Sequence, residues 1–250
     1  SNRTGVRFLV YLYDASNGRL RAVIEADRLG MTRTAAASGV ATRWLARADA
    51  QIAGVFGAGW QAEGHIEALA AVRPLQRVKV YARRAERLAA FCTKMSERLG
   101  LAVFPAASPE DAVRGSDIVS TVTSAATPLF DAEWLSPGTH VNAAGSNSLI
   151  RRELGEDVVK RCSPIVVDSM QTALAEAGDL LPLLEKGRLH ARQLLELGDV
   201  ISGRQPGRSA PDQITLFESQ GMAVQDLAVA AEIEALARER GLGIELPFGG

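Results

Sequence analysis

Residues Ile52 to Ala62, read as IAGVFGAGWQA, constrain the fold more than any other stretch of the chain. Ile52, Val55 and Phe56 form the short β-branched and aromatic run that a buried parallel strand needs. Gly57-Ala58-Gly59-Trp60-Gln61-Ala62 then reads G-x-G-x-x-A and opens a helical pattern, with Ala62, Ile66, Leu69 and Ala70 on one face. In such a turn the first glycine permits the tight bend and the second lets the backbone approach a pyrophosphate. A small sixth residue allows close helix–strand packing. The N–H groups at the helix start then hold the phosphates. The hexapeptide by itself also fits a glycine pair in an ordinary α/β turn. The strand before it and the amphipathic helix after it favour a dinucleotide site.

The rest of the chain repeats the same alternation. Strand patterns recur at Val78 to Tyr81, Leu101 to Phe104, Asp117 to Thr123, His140 to Ala144, Pro164 to Val167 and Ile214 to Phe217. Helical patterns separate them. Ala85, Leu88, Cys92, Met95 and Leu99 mark one face, closed by Gly100, and Ser108-Pro109-Glu110-Asp111 is a helix start. Thr172 to Leu197 reads as helix broken at Gly178 and Gly187, and Met222 to Arg240 as a last helix. This predicts an α/β fold with a doubly wound, Rossmann-type parallel sheet, whose ligands lie at the strand carboxyl ends near Gly57, Ala82, Thr123, Gly145 and Asp168.

The N-terminal stretch differs. Val6 to Tyr13 is a dense strand signal, DASNG at Asp14 to Gly18 a turn, and Leu20, Ala22 and Ile24 alternate with Arg19, Arg21 and Glu25. A lone hairpin is marginal, so it calls for a further sheet or a partner chain. Arg33 and Thr34 stand just ahead of the helical run Ala35 to Ala46. There an arginine faces the unfavourable end of the helix dipole unless an anion shares the site. Trp44 reads as core. The chain has no initiator methionine and enters a strand almost at once, which leads to the expectation of an incomplete N-terminus.

Composition narrows the function. With 28 Lys and Arg against 29 Asp and Glu, nothing calls for nucleic acid or an anionic membrane. Cys92 and Cys162 make no metal spacing and no disulfide scaffold, and Cys92 reads as a buried thiol. No apolar run has membrane-spanning length and no signal peptide is present, so a cytoplasmic enzyme without a metal is the default. His65, His140 and His190 are scattered and poorly placed as acids for hydride transfer. No serine elbow, H-E-x-x-H or P-loop occurs. At the end of the second strand of the nucleotide unit stands Ala82 rather than a carboxylate, followed by Arg83 and Arg84. Two arginines there are suited to a 2′-phosphate, which favours NADP(H) over NAD(H). Solvated surface charge and a backbone-mediated NAD(H) site are the alternatives.

Taken together, the segments Met31 to Ser38, Gly57 to Ala62, Asn142-Ala143-Ala144-Gly145, Val167-Asp168-Ser169, Glu176-Ala177-Gly178-Asp179 and Ile214 to Phe217 with Ser219 and Gly221 resemble the ornithine cyclodeaminase/mu-crystallin family in order and spacing. The resemblance runs from about residue 6 to 243. It implies NAD(P)H-dependent reduction of a small α-imino acid, a ketimine, to the L-amino acid, or the reverse dehydrogenase reaction. Ornithine cyclodeamination and non-catalytic NADP(H) binding of the mu-crystallin type are the alternatives. It further implies a homodimer built through an N-terminal sheet domain. That divides the chain into residues 1–34, a remnant of the substrate and dimerisation domain; 35–221, the NAD(P)-binding domain; and 222–250, a helix returning to the first.

Carried over by position, Arg33 matches the arginine that grips the substrate α-carboxylate. Asn147 stands where the cyclodeaminase has its proton-donating aspartate, so these two are the catalytic candidates. The cofactor candidates are Thr34, Gly57, Gly59, Trp60, Gln61, Ala82, Arg83, Arg84, Thr123, Gly145, Ser146, Arg151 and Ser219, with Arg151 in place of a lysine. An amide at 147 neither donates a catalytic proton readily nor neutralises an ammonium, which argues against ornithine. The family's catalytic lysine and a second substrate arginine have no match in the chain. Lys79, Lys94, Lys160 and Lys186 fall elsewhere, so the expectation is cofactor binding without turnover by these 250 residues alone.

Overall fold

The computed structural model describes residues 8–247, which divide into two compact units, residues 34–221 and residues 8–33 with 222–247. The larger unit is an eight-stranded parallel sheet. Its strands are β3 (Ile52–Phe56), β4 (Arg77–Tyr81), β5 (Ala102–Pro105), β6 (Ile118–Thr121), β7 (His140–Ala143), β8 (Ile165–Val167), β9 (Leu194–Glu196) and β10 (Thr215–Glu218). They run in the order β5-β4-β3-β6-β7-β10-β8-β9. Consecutive strands β3, β4 and β5 build outward to one side. The chain then crosses back to lay β6 against the other edge of β3, so the direction of winding reverses at β3/β6. A crevice at that reversal is the ligand position of such folds.

Valine and isoleucine dominate the strands because both faces are covered. On one face Val55, Val78, Val80 and Ile118 pack with Ile66 and Leu69 of α2 (Trp60–Val72) and with Leu88, Phe91, Cys92 and Met95 of α3 (Ala85–Leu99). Toward the other face, Phe56, Val119, Val141, Val167 and Leu216 pack with Leu154, with Val158 of α5 (Glu156–Arg161) and with Leu180. Gly54 in β3 permits a close approach of strand and helix. A Cβ there would lie 1.9 Å from the carbonyl oxygen of Ala112 in α4 (Pro109–Val113). Cys92 is buried, as expected, and burial pushes its thiol up to about 11.

Helix α1 (Asp27–Leu45) begins eight residues before the expected Ala35. Buried Leu29, Met31 and Ala35 extend its apolar face backward, and Asp27 supplies an acidic first turn. Arg33 therefore lies inside the helix and not ahead of it, so the dipole argument does not apply to it. Trp44, expected in the core, is 46% exposed, because Ala37, Ala41 and Leu45 form the stripe that packs on Val166 and Phe217.

The segment Thr172 to Leu197 also departs from its expected helix. It contains two short helices, α6 (Met170–Glu176) and α7 (Leu181–Glu185), and then the edge strand β9 before α8 (Leu197–Ile201). Gly178 forces the first break. A side chain there would meet Arg151 O at 1.9 Å and Ser148 O at 2.7 Å, so this loop packs backbone to backbone.

In the smaller unit β1 (Leu9–Tyr13) and β2 (Leu20–Glu25) form an antiparallel hairpin that is a sheet of its own. Val6 and Arg7 of the expected strand lie outside the described residues. Asp14 organises the turn by accepting from Ser16 N–H at 2.8 Å, and Gly18 takes the left-handed conformation (φ +71°). Leu12, Val10, Ala22 and Ile24 pack with Leu29 and with Ala230 of α9 (Ala223–Glu239). Arg21 pairs with buried Glu234 of α9 at 2.7 Å. Leu9, Tyr11, Tyr13 and Val23 occupy the other face and are exposed.

Candidate functional site

The phosphate turn follows β3 directly. Gly57 has φ +117°, donates its N–H to Tyr81 O at 2.9 Å, and leaves only 3.2 Å from a would-be Cβ to Val122 O. Its lack of a side chain is thus required by the fold. Gly59 is different. It is extended (φ −118°), and a Cβ built on it meets no protein atom within 4 Å. Nothing in the protein requires glycine there, and the open face is the approach a pyrophosphate needs. Helix α2 starts without a side-chain cap, its intrahelical bonding taking over at Glu63 N–H to Gly59 O. The first-turn N–H groups are thereby directed at whatever lies beyond the helix end. Gln61 Oε1 is buried there with no hydrogen-bond partner among the described residues. These features fit a dinucleotide. Trp60 opens α2 at the surface.

Beyond β4, Ala82 is half-buried, while Arg83 and Arg84 are exposed, Arg84 being the residue before α3. Neither arginine forms an ion pair among the described residues.

On the other side of β3 the strand carboxyl ends are joined by buried carboxyl groups. Glu153 accepts from Thr123 N–H and Thr123 Oγ1, each at 2.6 Å, and from Gly145 N–H at 2.8 Å, linking the ends of β6 and β7. Glu218 at the end of β10 accepts from the Ser146 hydroxyl and from Gln220 Nε2, linking β7 to β10. Asp168 at the end of β8 accepts from Ser219 Oγ at 3.2 Å, Gln220 N–H at 3.0 Å and Gly221 N–H at 2.6 Å, linking β8 to β10. Asp179 accepts from the backbone N–H groups of Glu153 and Leu154, at 2.8 and 3.0 Å.

Burial raises Glu153 to about 7 against the lowering effect of its Thr123 hydrogen bonds, and raises Asp179 to about 6. Glu218 stands well above the usual carboxylate range, first through burial and then through the charge of Asp179. Glu153, Asp179 and Glu218 were missed as site residues in the sequence. The local signals were a glutamate directly after the apolar strand Ile214 to Phe217 and the place of Asp179 in the segment Glu176 to Asp179.

Thr123, Gly145, Ser146 and Ser219 are therefore brought into one bonded array. Asn147 and Arg151 lie on the loop just beyond it, where Arg151 Nη1 donates to Asn147 Oδ1 at 3.1 Å. Asn147 is exposed and forms a bridge to Ala177. His65 and His140 are buried, hydrogen-bonded to Ser38 and Thr215, and held by desolvation at about 4 and about 3, so both are neutral imidazoles of the core. No cluster of three or more metal-ligating side chains occurs among the described residues. No helix of the described residues is long and apolar enough to cross a membrane.

Thr34 begins the larger unit. Arg33 belongs to the smaller unit and is 22% exposed. Its Nε donates to Asp226 Oδ1 at 3.1 Å and its Nη1 to Gln225 Oε1 at 3.3 Å, both on the first turn of α9.

Three comparisons identify relatives. The Δ1-pyrroline-2-carboxylate reductase of Bacillus cereus is 39% identical over 241 residues, covering 96% of this chain and 74% of the relative. The structure of the Thermococcus litoralis Δ1-pyrroline-2-carboxylate reductase, in complex with NADH and L-proline, superposes with a TM-score of 0.91 at 34% identity, over 94% of this chain and 73% of that one. An archaeal alanine dehydrogenase dimer with bound NAD gives 0.90 at 32% identity, over 97% and 74%.

The expectation of NADP(H) is corrected by these complexes, which hold NADH and NAD. Arginines at a strand end are solvated as readily as they clasp a phosphate, and the exposed pair Arg83 and Arg84 carries no further feature of a phosphate site. The family model for ornithine cyclodeaminase/mu-crystallin matches residues 2–241, and the chain belongs to that family.

Proposed function

We infer that this protein interconverts a small α-imino acid and the corresponding α-amino acid with NAD(H). It is an NAD(P)-dependent oxidoreductase acting on C=N and CH–NH bonds. The observation that carries the reading is the open Gly59 face at the uncapped start of α2, in a chain of this family. When bound, NADH supplies the hydride. Gly57, Gly59, Trp60 and Gln61 hold the pyrophosphate, Ala82, Arg83 and Arg84 border the adenosine ribose, and Thr34, Thr123, Gly145, Ser146, Arg151 and Ser219 line the remaining cofactor length. A cyclic imino acid of the pyrroline-2-carboxylate type is the substrate class, by likeness to the reductases above.

Arg33 grips the substrate carboxylate. Its guanidinium is held by Asp226 and Gln225 through Nε and Nη1, which leaves Nη2 for a carboxylate oxygen. Asn147 has its carbonyl oxygen engaged by Arg151 and so presents Nδ2, a donor, to a ligand. A donor beside a cationic guanidinium repels the side-chain ammonium of ornithine, which disfavours cyclodeamination. Residues 1–34 and 222–250 are read as the remnant of a substrate and dimerisation domain, 35–221 as the nucleotide domain, and the assembly as a homodimer.

The test is to supply Δ1-pyrroline-2-carboxylate with NADH, and separately L-ornithine with NAD⁺, to the protein expressed from its complete gene. The reading expects NADH loss with matching L-proline in the first arm and no ammonia in the second. Ammonia and proline from ornithine would replace it with cyclodeamination. Saturable binding of NADH and imine without turnover would replace it with a binding function.

A further inference from the structure

Glu153 is buried at the junction of two loops, and each hydrogen bond that its carboxylate accepts comes from one of them. Its backbone is anchored on both sides. The N–H donates to Asp179 Oδ1 at 2.8 Å, and the carbonyl accepts from Leu129 N–H at 2.8 Å. The side chain is thus delivered from a fixed point. Gly145 is shaped to receive it, since a Cβ at 145 would lie 2.3 Å from Glu153 Oε2 and 2.5 Å from Thr123 O.

The three donors, Thr123 N–H, Thr123 O–H and Gly145 N–H, ask only for acceptors. A carboxylate supplies them on both oxygens, whereas an amide would turn an NH₂ toward one of them. Burying a carboxylate is unfavourable unless its oxygens are hydrogen-bonded, and here both oxygens are, by donors from the two loops alone. The arrangement also decides what Thr123 can offer. Its hydroxyl proton is given to Glu153 and one lone pair accepts from Ala125 N–H at 3.0 Å, so the hydroxyl meets a ligand only as an acceptor.

We propose that Glu153 is a positioning residue for the nicotinamide half of the cofactor site, fixing Thr123 and Gly145 at the ends of β6 and β7. The proposal rests on the reading that these loops hold the dinucleotide. The two halves of such a site are separable. The adenosine side is built by β3, β4 and α2, and the other side by strands beyond the reversal at β3/β6. Glu153 acts only on the second, so its removal discriminates between ligands that share the first.

The experiment titrates NADH and ADP-ribose against the wild-type protein and Glu153→Gln, with the melting temperature of each. Glu153→Gln is expected to weaken NADH at least tenfold and to leave ADP-ribose within twofold. Thr123→Val removes one of the three bonds and decides the matter if Glu153→Gln does not fold. It should weaken NADH selectively, and the double variant should bind NADH within twofold of Glu153→Gln. NADH binding within twofold of wild type in either single variant would overturn the proposal, as would equal losses for both ligands. Wild-type protein that binds neither ligand would instead retire the dinucleotide reading, and the proposal with it.

Discussion

The Arg33 guanidinium is held on two of its three nitrogens, by Asp226 Oδ1 at 3.1 Å and by Gln225 Oε1 at 3.3 Å. A helix that begins after the whole nucleotide unit thus orients a side chain that precedes it. If Arg33 grips a substrate carboxylate, Arg33→Ala removes charge-assisted bonds worth about 1.5–3 kcal/mol each. L-Proline binding to the NADH complex should weaken by roughly tenfold to a hundredfold, and NADH binding should not change. Arg33→Lys should recover little, because the fork geometry is lost. Proline affinity unaltered by either substitution would remove Arg33 from the site.

The second glycine of the phosphate turn should respond differently from the glycine inside β3. Gly59→Ala meets open space in the protein and should keep the wild-type melting temperature while losing NADH affinity by tenfold or more. Gly54→Ala drives a methyl to within 1.9 Å of Ala112 O and should destabilise the fold by about 3 kcal/mol or more. Parallel melting and NADH titrations check both. A Gly59→Ala protein with intact NADH affinity would place the pyrophosphate elsewhere.

Buried Glu153 carries a pH signature of known sign. Its folded pKa of about 7 lies above the ordinary value of 4.5, so the native state holds a proton that the unfolded state has released between those limits. The resulting stabilisation is complete below about pH 4.5 and is lost as pH rises through 7. His65 and His140 act oppositely, losing stability as pH falls below 6.5 toward about 4 and about 3, and they cancel in a comparison with Glu153→Gln. The wild type should therefore lose stability relative to Glu153→Gln as pH is raised from 5 to 8. Chemical denaturation across that range measures it, and a constant difference would contradict the assignment.

Asp168 holds the hydroxyl of Ser219 and the backbone N–H groups of Gln220 and Gly221. Asp168→Ala leaves three backbone donors, the N–H groups of Ser169, Gln220 and Gly221, without their acceptor, at about 1–3 kcal/mol for each that stays buried. Unfolding should be easier by about 2–4 kcal/mol, and amide exchange at 220 and 221 should accelerate. Protection at those two amides equal to wild type would show that another acceptor replaces Asp168.

Asn147→Asp restores a carboxylate beside Arg151. It should pair with Arg151 in place of the present bond from Nη1 to Oδ1, and it should raise the affinity for L-ornithine over L-proline by about tenfold. Competition of the two amino acids against the NADH complex measures the ratio. A ratio unchanged by the substitution would show that residue 147 does not face the ligand side chain.

The sequence by itself determined the nucleotide strand, the glycine turn, the alternation of the doubly wound sheet and the family, because each is written in short-range periodicity or in motif spacing. It also located the loops at Thr123, Gly145 and Asp168 as strand ends. The start of helix α1 was not legible because Gly30 and Arg33 interrupt the apolar run of Leu29, Met31 and Ala35, and β9 was not legible because three residues carry no period. The carboxyl array was beyond local reading. Glu218 meets Ser146 only because β10, last in the chain, is inserted between β7 and β8. Glu153 meets Thr123 across 30 positions, and Asp168 meets Gly221 across 53. Whether a glutamate is a solvated charge or a buried acceptor depends on which backbone N–H groups the fold brings to it, and strand order in the sheet, not spacing along the chain, decides that.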